Sequence, residues 1–126
     1  MITILLVDDS DSFRFYFAEF LRTYFPHLAV SEAHDAGTTF AAIRETWPEF
    51  IFMDINLGEE NGLELTRAIK KIYLPFVCVL TSYDLPEYRE AARRCGADYF
   101  LPKDTISREQ LSALIEPLLA ASTPSA

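Results

Sequence analysis

A chain of 126 residues, 50% of them hydrophobic, suits one domain with a sizeable core. Its formal charge of −8 argues against a nucleic-acid-binding surface, which needs clustered lysine and arginine. The two cysteines, Cys78 and Cys95, are too few and too far apart for a disulfide framework or a zinc motif, and read as small core residues.

No cationic stretch precedes the first apolar run, so no signal peptide is visible. No apolar segment nears the roughly 20 residues that cross a bilayer. The expectation is a cytoplasmic protein without a membrane part.

Residues 2–7 do not alternate and read as a strand buried on both faces, ending at Asp8-Asp9. Ser10, Asp11 and Ser12 offer caps for a helix to about Tyr24, closed by Pro26. Residues 28–33 form a second, weaker strand, followed by a helix over 36–46 that stops ahead of Pro48. The third strand, 50–54, runs through four apolar residues into Asp54. Aspartate is poor in strands and rarely buried without partners, so this position asks for an explanation.

Asn61 or Gly62 opens a third helix, with Leu63, Leu65, Ala68, Ile69 and Ile72 as its apolar stripe. A fourth strand, 76–80, leads into Thr81-Ser82, and a helix over 86–94 stops at Gly96. The fifth strand, 99–101, is followed by Lys103. The last helix starts near Ser107, where Gln110 completes a capping box, and ends by about Ala120 with a bend at Pro117. The domain is expected over 1–121, with 122–126 a disordered tail or the start of a linker.

Five strands alternating with five helices predict an α/β fold, a doubly wound parallel sheet of order 2-1-3-4-5. Ligands of such sheets bind at the carboxyl ends of the strands, where the order reverses. Asp8-Asp9, Asp54, Thr81-Ser82 and Lys103 all stand at that edge. Three carboxylates brought together recruit a proton or a hard cation, Mg²⁺ above all, and no His or Cys joins them to favour zinc.

The set VDDS, FMDIN, LTS and the lysine of FLPKD, at these spacings, resembles the receiver domain of bacterial response regulators, the chemotaxis-type single-domain receivers included. The resemblance covers about residues 1–120. It implies a flavodoxin-like domain phosphorylated on an aspartate by a histidine kinase or a phosphotransfer protein. On that mapping Asp54 is the phosphoacceptor. Asp9 is a direct Mg²⁺ ligand, Asp8 acts largely through water, and Asn56 gives its backbone carbonyl. Thr81 and Lys103 contact the phosphoryl group, and Phe100 takes the position of the switch aromatic. Thr81 moving inward and Phe100 following would reshape the face of the fourth helix, fifth strand and fifth helix.

The chain departs from the family's pattern in three places. Gly58 stands where proline is common, so the loop NLGEENG is expected to be freer. The order Pro102-Lys103 removes the usual Lys-Pro bond. Asn56 and Tyr83 stand two residues beyond Asp54 and Thr81, where Tyr83 would shield an acyl phosphate and slow its loss to minutes or longer, on the order set by water access. His27, His34 and Trp47 carry no assigned role, and Arg67, Lys70 and Lys71 read as a solvated helix face.

Two other readings compete. A Mg²⁺-dependent phosphohydrolase would also use an aspartate nucleophile, but Asn56 stands where its general acid belongs. A degenerate receiver would bind partners without phosphorylation, which the complete set of site residues opposes. No output domain is expected after the last helix, so the expectation is a chain that acts on a downstream protein target or belongs to a longer protein with a linked output domain. A homodimer through the face of the fourth helix, fifth strand and fifth helix is a further partner that the resemblance allows.

Overall fold

The computed structural model describes residues 2–122, so residues 123–126 of the tail expected over 122–126 lie outside the described residues. Its elements are β1 (Thr3–Val7), α1 (Asp11–Tyr24), β2 (Ala29–Ala33), α2 (Ala36–Thr46), β3 (Phe50–Asp54), β4 (Asn56–Leu57), β5 (Glu60–Asn61), α3 (Gly62–Lys70), β6 (Phe76–Thr81), α4 (Pro86–Arg94), β7 (Tyr99–Pro102) and α5 (Arg108–Ser122). A single 3₁₀ turn, Lys103–Thr105, links β7 towards α5.

The five long strands pair in parallel in the order β2-β1-β3-β6-β7, the doubly wound arrangement expected. Helices cover both faces, and the period-2 alternation of each strand divides its side chains between two cores. Leu5, Val7, Ile51, Met53, Val77 and Val79 point to one core. Ile4, Leu6, Phe50, Phe52, Cys78 and Leu80 point to the other, with Phe17 and Leu21 of α1 and Leu111 and Ile115 of α5. All five residues of β1 and of β3 are buried, which is why neither strand alternates in sequence.

The helix starts follow the capping chemistry of their residues. Ser10 Oγ accepts from the Phe13 N–H, Asp35 and Thr38 form a capping box, and Asn61 Oδ1 accepts from the Leu63 N–H. At the start of α5 the Ser107 N–H donates to Gln110 Oε1 while Ser107 Oγ accepts from the Gln110 N–H.

Several boundaries move from their expected places. Leu28 precedes β2, its N–H turned back to the Phe25 carbonyl. Ile72 is not part of the α3 stripe: the helix ends at Lys70, the Lys71 and Ile72 N–H groups fold back onto Ala68 and Ile69, and Ile72 is 54% exposed. The strand before Lys103 extends through Pro102, with no cis peptide bond among the described residues. Ser122 belongs to α5 rather than to a tail, a helix that continues past Pro117.

The segment after Asp54, read from sequence as a loop, folds as a small antiparallel hairpin, Asn56 opposite Asn61 and Leu57 opposite Glu60. Gly58 takes φ 66° at the first turn position, a conformation that a two-residue hairpin demands and glycine supplies without strain. Trp47 is the one non-glycine residue with positive φ among the described residues. It ends α2, half-exposed, with its ring edge-on to Tyr73 at 5.1 Å.

Candidate functional site

Asp8 directly follows β1 and Asp54 closes β3, and these strands are neighbours with Val7 opposite Met53. By alternation Asp8 continues the Ile4–Leu6 series and Asp54 the Phe50–Phe52 series, so both carboxylates project to the α1–α5 side. Each is buried, Asp8 fully and Asp54 to 4% exposure, whereas Asp9 is exposed. One carboxylate oxygen from each of the three lies within 4.8 Å of the others.

Lys103 enters from the far strand. As the first residue of the turn after β7, it sets its ammonium 2.7 Å from Asp8 Oδ2 and 3.3 Å from Asp54 Oδ2. Three distant segments therefore meet at one acidic centre, with the Lys103 ammonium set among the carboxylates. Burial is the main force on Asp54, followed by the Asp8 charge, and together they push its carboxyl up to about 6 from the ordinary 3.8. The Lys103 ammonium and the Asn56 backbone N–H act in the opposite sense.

The backbone around the carboxylates is held tightly. Asp8 Oδ1 accepts from the Ser10 N–H at 2.8 Å, and the Asp8 carbonyl accepts from Arg14 Nη1 at 2.6 Å. Arg14 is itself paired with Asp11 and Glu32. Asp9 Oδ2 accepts from the Gly58 N–H at 3.0 Å, so the hairpin turn closes onto the cluster. Gly62 packs where a Cβ would lie 1.8 Å from the Asp54 carbonyl oxygen, and its N–H donates to the Ile55 carbonyl at 2.7 Å. Only glycine allows α3 to start this close to the strand.

The donor set fits a hard divalent ion. Carboxylate oxygens are the ligands such an ion prefers, and the cluster contains neither histidine nor cysteine. Asp8 Oδ2 is buried and has no well-directed hydrogen bond, the nearby ammonium contributing charge without hydrogen-bond alignment. An oxygen left in that state is suited to coordination.

Of the predicted residues, Asp8, Asp9, Asp54 and Lys103 come together. Thr81 closes the adjacent strand, buried, but its hydroxyl is engaged locally, accepting from the Tyr83 N–H at 2.9 Å and donating to the Tyr83 carbonyl at 3.2 Å. Tyr83 is 55% exposed, with its ring 6.3 Å from that of Tyr88. Phe100 is buried and capped by the Arg89 guanidinium 4.9 Å from its ring centre, with Arg89 held by Asp84 at 2.9 Å. His34 sits 3.5 Å from Asp35 on the surface, away from these groups.

Sequence reasoning missed Arg14, the close approach of Gly62, and Phe13, whose ring centre lies 4.5 Å from the Lys103 ammonium. A glycine directly after the Asn61 cap was a signal for the second. The first and third had none, since they depend on which side of α1 faces the site.

Comparison with known proteins agrees with this geometry. The family described as response regulator receiver domain matches residues 4–116. The transcriptional regulatory protein YxjL of Bacillus subtilis (strain 168) is 30% identical over 115 residues, covering 90% of this chain and 52% of that protein. The response regulator protein VraR of Staphylococcus aureus (strain COL) is also 30% identical over 115 residues, covering 90% of this chain and 54% of that protein. The chain thus spans about half the length of these curated relatives. A two-component response regulator of the LuxR family from Aurantimonas sp. SI85-9A1 superposes with TM-score 0.82 at 30% identity, over 94% of this chain and 85% of that one. The signal receiver domain of a DNA-binding response regulator from Colwellia psychrerythraea 34H reaches TM-score 0.86 at 18% identity, over 95% and 99% of the two chains, a likeness of fold. With the family match spanning nearly the whole domain, the chain belongs to the response regulator receiver domains, the phospho-accepting modules of two-component signalling.

Proposed function

We propose that Asp54 is the residue of this receiver domain that accepts the phosphoryl group, from a histidine kinase or a histidine phosphotransfer protein. The observation that carries the reading is the buried Asp54 carboxylate, set among Asp8, Asp9 and Lys103 at the carboxyl edge of the sheet. A carboxylate oxygen of Asp54 attacks the phosphorus, the bond from phosphorus to the donor imidazole breaks, and the product is an acyl phosphate. Water attack later returns the carboxylate and inorganic phosphate, slowly, on the order of minutes where access is restricted.

Asp8, Asp9, Asp54 and the backbone carbonyl of Asn56 would hold Mg²⁺, which when bound neutralises charge on the carboxylates and the phosphoryl oxygens. Lys103 supplies the protein's own positive charge to that group. In the metal-free domain the Asp54 carboxyl is ionised above pH of about 6, and ionised is the state that attacks. The Thr81 hydroxyl, released from Tyr83, donates to a phosphoryl oxygen and leaves space into which Phe100 turns. That movement alters an open groove of about 600 Å³ between α4 and α5, lined by Arg89, Phe100 and Gln110. The altered face signals to a downstream protein target or to a linked output domain, in the cytoplasm where such kinases deliver phosphate.

The test is incubation with Mg²⁺ and acetyl phosphate, read by intact mass. A gain of one phosphoryl group that is lost in Asp54→Asn supports the assignment. Equal gain in that variant, or continuous turnover of unrelated phosphate esters, defeats it.

A further inference from the structure

We propose that Phe13 is a positioning residue for the reaction, its aromatic face holding the Lys103 ammonium where the phosphoryl group arrives. The inference rests on Asp54 being the phosphoacceptor, and adds a residue of α1 beside Arg14, which holds the Asp8 carbonyl.

Lys103 has opposed neighbours. Asp8 and Asp54 approach its ammonium on the acidic side, and the Phe13 ring centre lies 4.5 Å from the same nitrogen. A cation at that distance from an aromatic face is attracted by the negative ring quadrupole. The ring in turn is fixed. Phe13 is the third residue of α1, its N–H is capped by Ser10 two residues beyond Asp8, and its ring packs 5.4 Å from that of Phe17. Phe17 then meets Phe52 of β3 edge-on at 4.9 Å, two residues before Asp54. One aromatic series therefore ties the ammonium's position to the strand that carries the nucleophile.

The flexible lysine stem is what makes such a support useful. A four-carbon chain with three rotatable donors loses considerable freedom when held in one place. In the resting state the two carboxylates hold it. A divalent ion and a phosphoryl group bound there would leave Asp8 and Asp54 a weaker hold on Lys103. The ring then keeps the ammonium from swinging to solvent through the groove that Phe13, Tyr16, Phe17, Phe20 and Ile106 line beside it. Neither aliphatic packing nor simple burial gives this effect, because only an aromatic face attracts the charge.

Three variants separate the ring from its volume: Phe13→Leu, Phe13→Tyr, and Phe13 replaced by trifluorophenylalanine, which keeps the shape but weakens the quadrupole. The rate of phosphorylation by acetyl phosphate with Mg²⁺ is expected to fall about tenfold in Phe13→Leu, less in the fluorinated protein, and to be restored in Phe13→Tyr. Thermal stability of the fluorinated protein should match the parent. Independently of any phosphorylation, NMR of the Mg²⁺-free protein should show Lys103 side-chain protons shifted upfield by the ring in the parent and in Phe13→Tyr, and moved back in Phe13→Leu. Unmoved Lys103 signals, a rate unchanged within twofold in Phe13→Leu, or a loss in Phe13→Tyr equal to that in Phe13→Leu would overturn the proposal. Failure of the phosphoacceptor assignment is distinguished by the Asp54→Asn mass experiment, which does not involve Phe13.

Discussion

Replacing Asp54 by asparagine is expected to stabilise the resting domain at about pH 8 when divalent cations are chelated, although it removes the central site residue. The wild-type carboxyl is raised from 3.8 to about 6 on folding, by burial first and by Asp8 second. Between those values the folded state binds more protons than the unfolded chain, so the contribution of Asp54 to stability falls as pH rises. Below about pH 4 the carboxyl is protonated in both states and contributes nothing. Above about pH 6 the whole penalty is present, about 3 kcal/mol at roughly 1.4 kcal/mol for each pH unit of the gap. Asparagine keeps the shape and loses the charge, and Lys103 keeps Asp8 as its partner at 2.7 Å. Urea unfolding in EDTA, followed by circular dichroism, measures the difference between the two proteins across pH. The gain should approach 3 kcal/mol at about pH 8, about 10 °C in melting temperature for a domain of this size, and shrink to near zero at about pH 4. Saturating Mg²⁺ should narrow it by stabilising the wild type, by about 2.7 kcal/mol at a hundredfold excess over the dissociation constant. A variant no more stable than the parent at pH 8, or a gain that does not vary with pH, would refute the reasoning.

Three further outcomes follow from the same geometry. Lys103→Ala leaves Asp8 and Asp54 buried without their cation and is expected to cost about 3–5 kcal/mol at neutral pH, much of it recovered on adding Mg²⁺; a loss of under about 1 kcal/mol in denaturant unfolding would contradict the pairing. Gly62→Ala sets a Cβ against the Asp54 carbonyl oxygen and is expected to cost about 3 kcal/mol or more. Gly58→Ala meets nothing within 4 Å and costs only the left-handed backbone, about 1 kcal/mol. Denaturant midpoints in the reverse order would reject both explanations.

The doubly wound sheet was legible because β1, β3 and β6 are buried on both faces, which writes uninterrupted apolar runs into the chain. Asp8, Asp9, Asp54 and Lys103 were legible for the opposite reason, as charges placed where those runs stop. The hairpin after Asp54 was not, because residues 56–61 are polar in composition and only the φ of Gly58 and the register of four residues define it. The end of α3 was misread because Ile72 continues the helical spacing, while the Lys71 and Ile72 N–H groups tighten onto the carbonyls three residues back and end the helix at Lys70. Phe13 and Arg14 escaped notice because adjacent residues of one helix touch different groups, a lysine ammonium and a backbone carbonyl, that only the folded arrangement brings near.

Lys103 serves the resting domain as a built-in counterion. Any incoming divalent ion would therefore compete with a tethered monovalent charge for the same two carboxylates instead of filling an open cage. The two buried carboxylates thus have a positive neighbour of the chain's own before any ion arrives.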